Sequence, residues 1–211
     1  SRNSEVIHAG SYYPSESLKA LLCVRGKQQL YDYCESRHVA FRQCGKLIVA
    51  TSSEEEATLE GILRQALANG VNDLEYWSSE KILEREPHVK ATLGLYSPST
   101  GIVSVHELMT ACLADMEQLG GNFVGGTHVN SVEVHQDRFV LTCTSQGEPF
   151  EFSCRTLVNS AGLGAQTLAA SISGFDAKMI PKLYYCRGNY FTLASGSPFS
   201  HLIYPVPDSS G

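Results

Sequence analysis

GKLIVATSSEEEATLEGILRQALANG, residues 45–70, decides the fold class. GKLIVATS (Gly45 to Ser52) has a four-residue apolar core, Leu47 to Ala50, and reads as a buried strand. Ser53, with Glu56 three residues on, makes a capping box that opens a helix. That helix places Leu59, Ile62, Leu63, Ala66 and Leu67 on its inner face and stops near Asn69-Gly70. A buried strand leading directly into an amphipathic helix is a β–α unit.

Upstream, Ser17 to about Arg37 repeats Leu18, Leu21, Leu22, Leu30 and Tyr33 at three- and four-residue steps, which predicts a helix with one apolar stripe. Downstream, Ser104 with Glu107 is a second capping box. It starts a helix through Leu108, Met109, Cys112, Leu113, Met116 and Leu119, closed by Gly120-Gly121. From Asn122 the period moves from 3.6 toward 2. Val129–His135, Arg138–Thr144 and Pro149–Cys154 then form an antiparallel meander. Arg155–Ala161 is a β-rich run ending at Gly162, followed by a small-residue helix through Ala165, Leu168 and Ala169. Lys182–Leu193 and Leu202–Val206 read as later strands. Mixing β–α with β–β–β units predicts a mixed α/β (α+β) architecture.

Composition excludes several classes. Sixteen Lys and Arg against 22 Asp and Glu give the 211 residues a formal charge of −6, with no basic run to meet nucleic acid. Hydrophobic residues at 43% and charged residues at 18% describe a globular chain. No apolar stretch reaches the roughly 18 residues of a membrane span, and SRNSEVIHAG has the features of neither a signal nor a transit peptide. Cysteines 23, 34, 44, 112, 143, 154 and 186 include no CxxC pair, so they read as packed, reduced thiols, and no metal is expected.

There is no GxGxxG, Walker loop, HExxH or GxSxG. Gly162-Leu163-Gly164 is a lone GxG, read either as a turn with a helix cap or as an anion cradle of backbone N–H groups. SRNSEVIHAGSYY packs small and polar groups without a helix period; it is a polar turn or a site element, and His8 is a structural histidine or a catalyst. In YYCRGNY, Arg187 beside Gly188 is either a bidentate carboxylate clamp or a surface Arg stacked on a tyrosine. The residues alone lead to a mixed α/β domain with a candidate anionic-ligand site.

Taken together, SRNSEVIHAGSYYP with SLKALLCVRG, GKLIVATS, LYSPSTGIVSVHEL, LVNSAGLGAQ, YCRGNYF and LIYPVPD resemble the L-2-hydroxyglutarate dehydrogenases. These belong to the FAD-dependent oxidoreductases that include D-amino-acid oxidase and glycerol-3-phosphate dehydrogenase. The likeness is collinear over essentially the whole chain, with two departures: Glu5 where many relatives have Gly, and Ser11 where an aliphatic residue is common. It implies an internal fragment lacking the N-terminal βαβ of a Rossmann-like FAD domain. Residues 1–40 and 101–175 would belong to that domain, interleaved with an antiparallel-sheet substrate domain of 41–100 and 176–211.

On the same resemblance, Ser1, Arg2, Asn3 and Ser4 line the flavin side. Val129 meets adenine through its backbone, and Ala161, Gly162 and Gly164 approach the pyrophosphate. His8 is the catalytic base, while Tyr13, Lys182, Arg187 and Tyr204 bind substrate. The implied reaction is oxidation of a small 2-hydroxyacid, foremost L-2-hydroxyglutarate to 2-oxoglutarate, with the electron acceptor beyond FAD undefined. Alternatives are a related amine or glycerol-3-phosphate oxidase or dehydrogenase, or an inert truncated fragment. The implied location is mitochondrial in a eukaryote and otherwise cytoplasmic, and membrane association is not visible in this chain.

Overall fold

In the computed structural model, which describes residues 4–207, β1 (Val6–Ile7) leads through a loop to α1 (Leu18–Arg37), β2 (Phe41–Arg42), β3 (Lys46–Ala50) and α2 (Ser53–Ala68). β4 (Glu75–Ser78), α3 (Ser79–Arg85), β5 (Leu93–Ser97), β6 (Gly101–Val103) and α4 (Val105–Gln118) follow. The chain then enters β7 (Thr127–Val134), β8 (Phe139–Ser145), β9 (Glu148–Cys154), α5 (Ala165–Ala170) and β10 (Leu202–Pro205). The architecture is mixed α/β.

Serine caps set the helix starts. The hydroxyls of Ser17, Ser52, Ser78 and Ser104 accept the N–H groups of Ala20, Glu55, Lys81 and Glu107. α2 therefore begins one residue before the box read from the sequence. Ser52 rather than Ser53 is the cap, and Glu55 rather than Glu56 turns back, accepting from Thr51 N and Oγ1 at 2.6 and 2.8 Å. Three consecutive glutamates suit either serine; the extended backbone of Ser52 as the chain leaves β3 selects the earlier one. Glu107 likewise accepts from Ala40 N at 2.7 Å, so it ties α4 to the approach to β2.

Residues 4–120 and 193–207 form one compact unit, and residues 121–192 form a second. The first holds a sheet ordered β1-β6-β2 and a sheet ordered β10-β3-β5-β4. β10 runs parallel to β3, with Leu202 opposite Lys46 and Tyr204 opposite Ile48, while the other ladders are antiparallel. Side chains alternate across β3. Leu47 and Val49 pack with Trp77, Ile82 and Val89, while Ile48 and Ala50 pack with Leu59 and Ile62 of α2.

α1 buries only the later part of the apolar stripe: Leu30 packs half-buried on the cluster around Ile7 and Tyr31, and Tyr33 is half-buried. Leu18, Leu21 and Leu22 are exposed, and the inward face runs through Ala20, Val24, Tyr31 and Cys34. Ala20 lets the helix approach closely, and the Tyr31 hydroxyl donates to Ser99 O at 3.0 Å. In α4, Leu108, Leu113 and Met116 are half-buried, while Met109, Cys112 and Leu119 lie open.

The second unit is the β7-β8-β9 meander with α5 against it, its core Val132, Leu141 and Cys143. Two expected strands are absent: Arg155–Ala161 and Lys182–Leu193 join no described ladder, and Val158 is 77% exposed. β-forming side chains make a strand only where a neighbouring strand takes up their backbone groups. All seven cysteines are free, with Cys34 and Cys143 buried. Among the described residues no helix is long and apolar enough to cross a membrane, and no three His, Cys, Asp or Glu gather to hold a metal ion.

Candidate functional site

His8 sits on the loop that leaves β1, and three features fix that loop. Gly10 takes φ +94°, and a Cβ there would stand 2.8 Å from Val24 Cγ2, so glycine is required for the close approach to α1. Asn69, the C-cap of α2, donates through Nδ2 to Gly10 O at 3.0 Å and Tyr13 O at 2.8 Å, and its Oδ1 accepts from Ser15 Oγ at 3.0 Å. Ala9, Gly10 and Ser11 are buried. Ser11 Oγ is buried without a hydrogen-bond partner among the described residues.

The side chain nearest in consequence is Lys46, the first residue of β3, which is 1% exposed. Its Nζ lies 4.2 Å from the ring centre of Tyr12 and 5.3 Å from that of Tyr204. Burial lowers the Lys46 ammonium to about 8. Half-buried His8 is held below the usual imidazole value by burial first, and then by the positive charges of Lys46 and Lys19. Tyr12 is pushed well up by burial, and Tyr13, under the Lys19 ammonium at 4.4 Å, is raised chiefly for the same reason. The loop thus presents a neutral imidazole beside a buried cation, an arrangement able to accept a proton near neutral pH. Tyr12 and Tyr204 also flank a cavity of about 840 Å³ that neither His8 nor Lys46 lines.

A second buried charge supports Tyr204 from the other face of the sheet. Glu86 Oε1 accepts the N–H groups of Ser200 and His201 at 2.9 and 2.8 Å and meets His201 Nδ1 at 2.6 Å. The His201 ring stands edge-on to Trp77 and Tyr96. This clamp fixes the chain where it enters β10.

In the second unit, Val129, Ala161 and Gly164 line one cavity of about 470 Å³, together with His128, Asn130 and Thr167 among others. The register of β7 against β8 slips between Val129 and Ser131, a bulge at Asn130, whose Nδ2 donates to Thr144 Oγ1 at 2.7 Å. Gly162 takes φ +57° in a single 3-10 turn, Gly162–Gly164. Asn159 braces that turn, accepting from Ala161 N at 3.3 Å and donating to Ala165 O at 2.8 Å.

The structure therefore gathers Val129, Ala161 and Gly164, with Gly162 in the adjoining turn, and separately His8 and Tyr13 on one loop with Tyr204 across Lys46. Lys182 and Arg187 are exposed on an irregular segment and line neither cavity. Ser4 is exposed, while Ser1, Arg2 and Asn3 lie outside the described residues. Sequence reasoning passed over Lys46 and the Glu86–His201 pair, and read Asn69 only as a helix stop. For Lys46 a signal existed: the period of two places it on the same face of β3 as Ile48 and Ala50.

The whole chain, residues 1–211, matches the family described as FAD dependent oxidoreductase. The chain belongs to that family. It is 34% identical over 241 residues to the mitochondrial L-2-hydroxyglutarate dehydrogenase of Arabidopsis thaliana, covering 100% of this chain and 50% of the relative. The Escherichia coli (strain K12) L-2-hydroxyglutarate dehydrogenase is 34% identical over 210 residues, covering 98% of this chain and 48% of the relative. The chain thus spans about half the length of the curated relatives it matches. Among solved structures, the reduced L-α-glycerophosphate oxidase of Mycoplasma pneumoniae with FAD bound superposes with a TM-score of 0.74 at 23% identity, over 81% of this chain and 46% of that one. Glycine oxidase of Geobacillus kaustophilus gives 0.68 at 20% identity, over 80% and 46%. These likenesses show a shared fold. FAD is the family's cofactor, as the sequence resemblance implies.

Proposed function

We propose that the chain is part of an FAD-dependent dehydrogenase that oxidises a small 2-hydroxyacid, foremost L-2-hydroxyglutarate, to the 2-oxoacid. The observation that carries this reading is the half-buried His8, biased to its neutral form on a loop fixed by Gly10 and Asn69. The identity to L-2-hydroxyglutarate dehydrogenases across the whole chain supplies the substrate class.

The second unit fits a flat nucleotide. The outer edge of β7 is bridged at Val132 by Ile172, and ahead of that bridge the Asn130 bulge, Val129, Ala161 and Gly164 line a cavity of about 470 Å³. Val129, Ala161, Gly162 and Gly164 would hold part of the cofactor there. FAD, when bound, supplies the acceptor for the hydrogen and two electrons of the substrate C–H bond. His8 takes the hydroxyl proton as the carbonyl forms. Tyr13 and Tyr204 orient the substrate, and Lys182 and Arg187 offer charges to its carboxylates. By role, residues 1–40 and 101–175 serve the cofactor and 41–100 and 176–211 the substrate, a different cut from the two compact units. The electron acceptor is a further redox partner, and a eukaryotic source would place the protein in mitochondria, as for the Arabidopsis relative.

The test is anaerobic flavin bleaching in the full-length protein, with a panel of 2-hydroxyacids, amino acids and glycerol phosphate. The reading expects the hydroxyacids to bleach fastest and His8→Ala to slow them by about two orders of magnitude or more. Bleaching by amino acids or glycerol phosphate alone would replace it with the oxidase alternatives, and an unchanged rate in His8→Ala removes His8 from the mechanism.

A further inference from the structure

Lys46 is the one fully buried lysine or arginine among the described residues. The rest of β3, Leu47 to Ala50, is apolar and buried, and no described carboxylate lies within ion-pair distance of its ammonium. Taking an ammonium out of water without a counter-charge is expensive, so an aliphatic residue would serve the fold better at this place. The other buried charge of this unit, Glu86, is occupied by Ser200 and His201.

The cation is instead caged by aromatic faces from two further elements. Tyr12 comes from the loop that carries His8, four residues along, and Tyr204 from β10. The electrostatic interaction of an ammonium with two ring faces joins loop, β3 and β10 at one point. The charges acting on His8 are Lys46 from β3 and Lys19 from α1. Lys19 is exposed and screened by solvent, whereas Lys46 acts through protein.

We propose that Lys46 is a positioning residue of the reaction site: caged by Tyr12 and Tyr204, its ammonium fixes the His8 loop against β3 and β10 and supplies the local positive field in which the imidazole works. Burial first, and then this field, disfavour a positive charge on the ring and bias His8 toward its unprotonated form. The same field attracts an anionic substrate without Lys46 touching it. The words "reaction site" rest on the function proposed above; the cage and the field do not.

The experiment is an NMR titration of the His8 ring in the full chain, unmutated and as Lys46→Met, Lys46→Arg and Lys19→Met. The unmutated His8 midpoint lies below 6.5. Lys46→Met moves it upward, Lys46→Arg keeps it low, and Lys19→Met moves it less than Lys46→Met does. A folded Lys46→Met chain whose His8 midpoint equals the unmutated one overturns the proposal. Should Lys46→Met fail to fold, the unmutated chain still decides, through the Lys46 ε-carbon signal. Ring-current displacement of the attached ε-protons by the Tyr12 and Tyr204 faces supports the cage, and ε-protons at their random-coil position overturn it. Failure of the hydroxyacid reading appears separately, as flavin that no hydroxyacid bleaches while these titrations behave as stated.

Discussion

Replacing Lys46 with Met should change the stability of the chain in a way that depends on pH. Burial takes the ammonium from 10.5 to about 8 in the folded protein. Because the folded value lies below the unfolded one, the unfolded chain holds an extra proton between pH 8 and 10.5. Folding is therefore penalised fully below pH 8 and recovers as the pH rises to 10.5. At about 1.36 kcal/mol for each pH unit the penalty is about 3 kcal/mol. The two ring contacts offset part of it, leaving a dependence of roughly 1–3 kcal/mol. Lys46→Met removes both the charge and its penalty, so the variant should be more stable than the unmutated chain at pH 7 by about 1 kcal/mol or more, and lose that advantage by pH 10.5. Urea unfolding of both chains at several pH values reads the difference. The raised tyrosines and the thiols of Cys34 and Cys143 titrate in both chains and cancel. A difference that stays constant with pH refutes the claim that Lys46 is a buried, uncompensated cation.

Gly10→Ala combines a strained φ of +94° with a 2.8 Å approach to Val24 Cγ2; it should destabilise the chain by about 2–3 kcal/mol in urea unfolding and slow flavin reduction by displacing His8. Glu86→Ala removes the acceptor of two backbone N–H groups and the partner of the His201 ring and should destabilise by about 3 kcal/mol or more, with the loss read in the same assay. Arg187→Lys in the intact enzyme should raise KM about ten-fold with flavin content unchanged, because a lysine cannot reproduce a two-point carboxylate contact. A KM within about two-fold returns Arg187 to the surface.

Local patterns were legible wherever a segment's neighbours in sequence decide its structure. The strand and helix of residues 45–70 and the three strands of the meander stand where period and caps place them. The Ser52 cap was misread by one residue because Ser52-Ser53 before three glutamates offers two equivalent pairings. Features set by partners distant in sequence were not legible. The buried face of α1 follows Ala20, Leu30 and Tyr31 rather than Leu18, Leu21 and Leu22, and Arg155–Ala161 has strand composition without a ladder. At the site, His8, Tyr13 and Tyr204 came from resemblance. Lys46 is an ordinary-looking lysine until β10, parallel to β3, brings Tyr204 onto it.

That parallel pairing also governs the order in which the molecule can be assembled. Leu202 meets Lys46 across roughly 150 residues, the longest-range ladder among the described residues. During synthesis β3, β4 and β5 emerge and can pair with one another, while the 121–192 unit can fold on its own local contacts. Until β10 arrives, β3 offers an unpaired edge, and Lys46 has Tyr12 but not Tyr204 beside it. A ribosome-bound chain halted before residue 202 would carry nearly all its secondary structure and an incomplete cage. Chaperone dependence and aggregation should concentrate in that interval, and the aromatic cage around Lys46 is completed only when β10 pairs with β3.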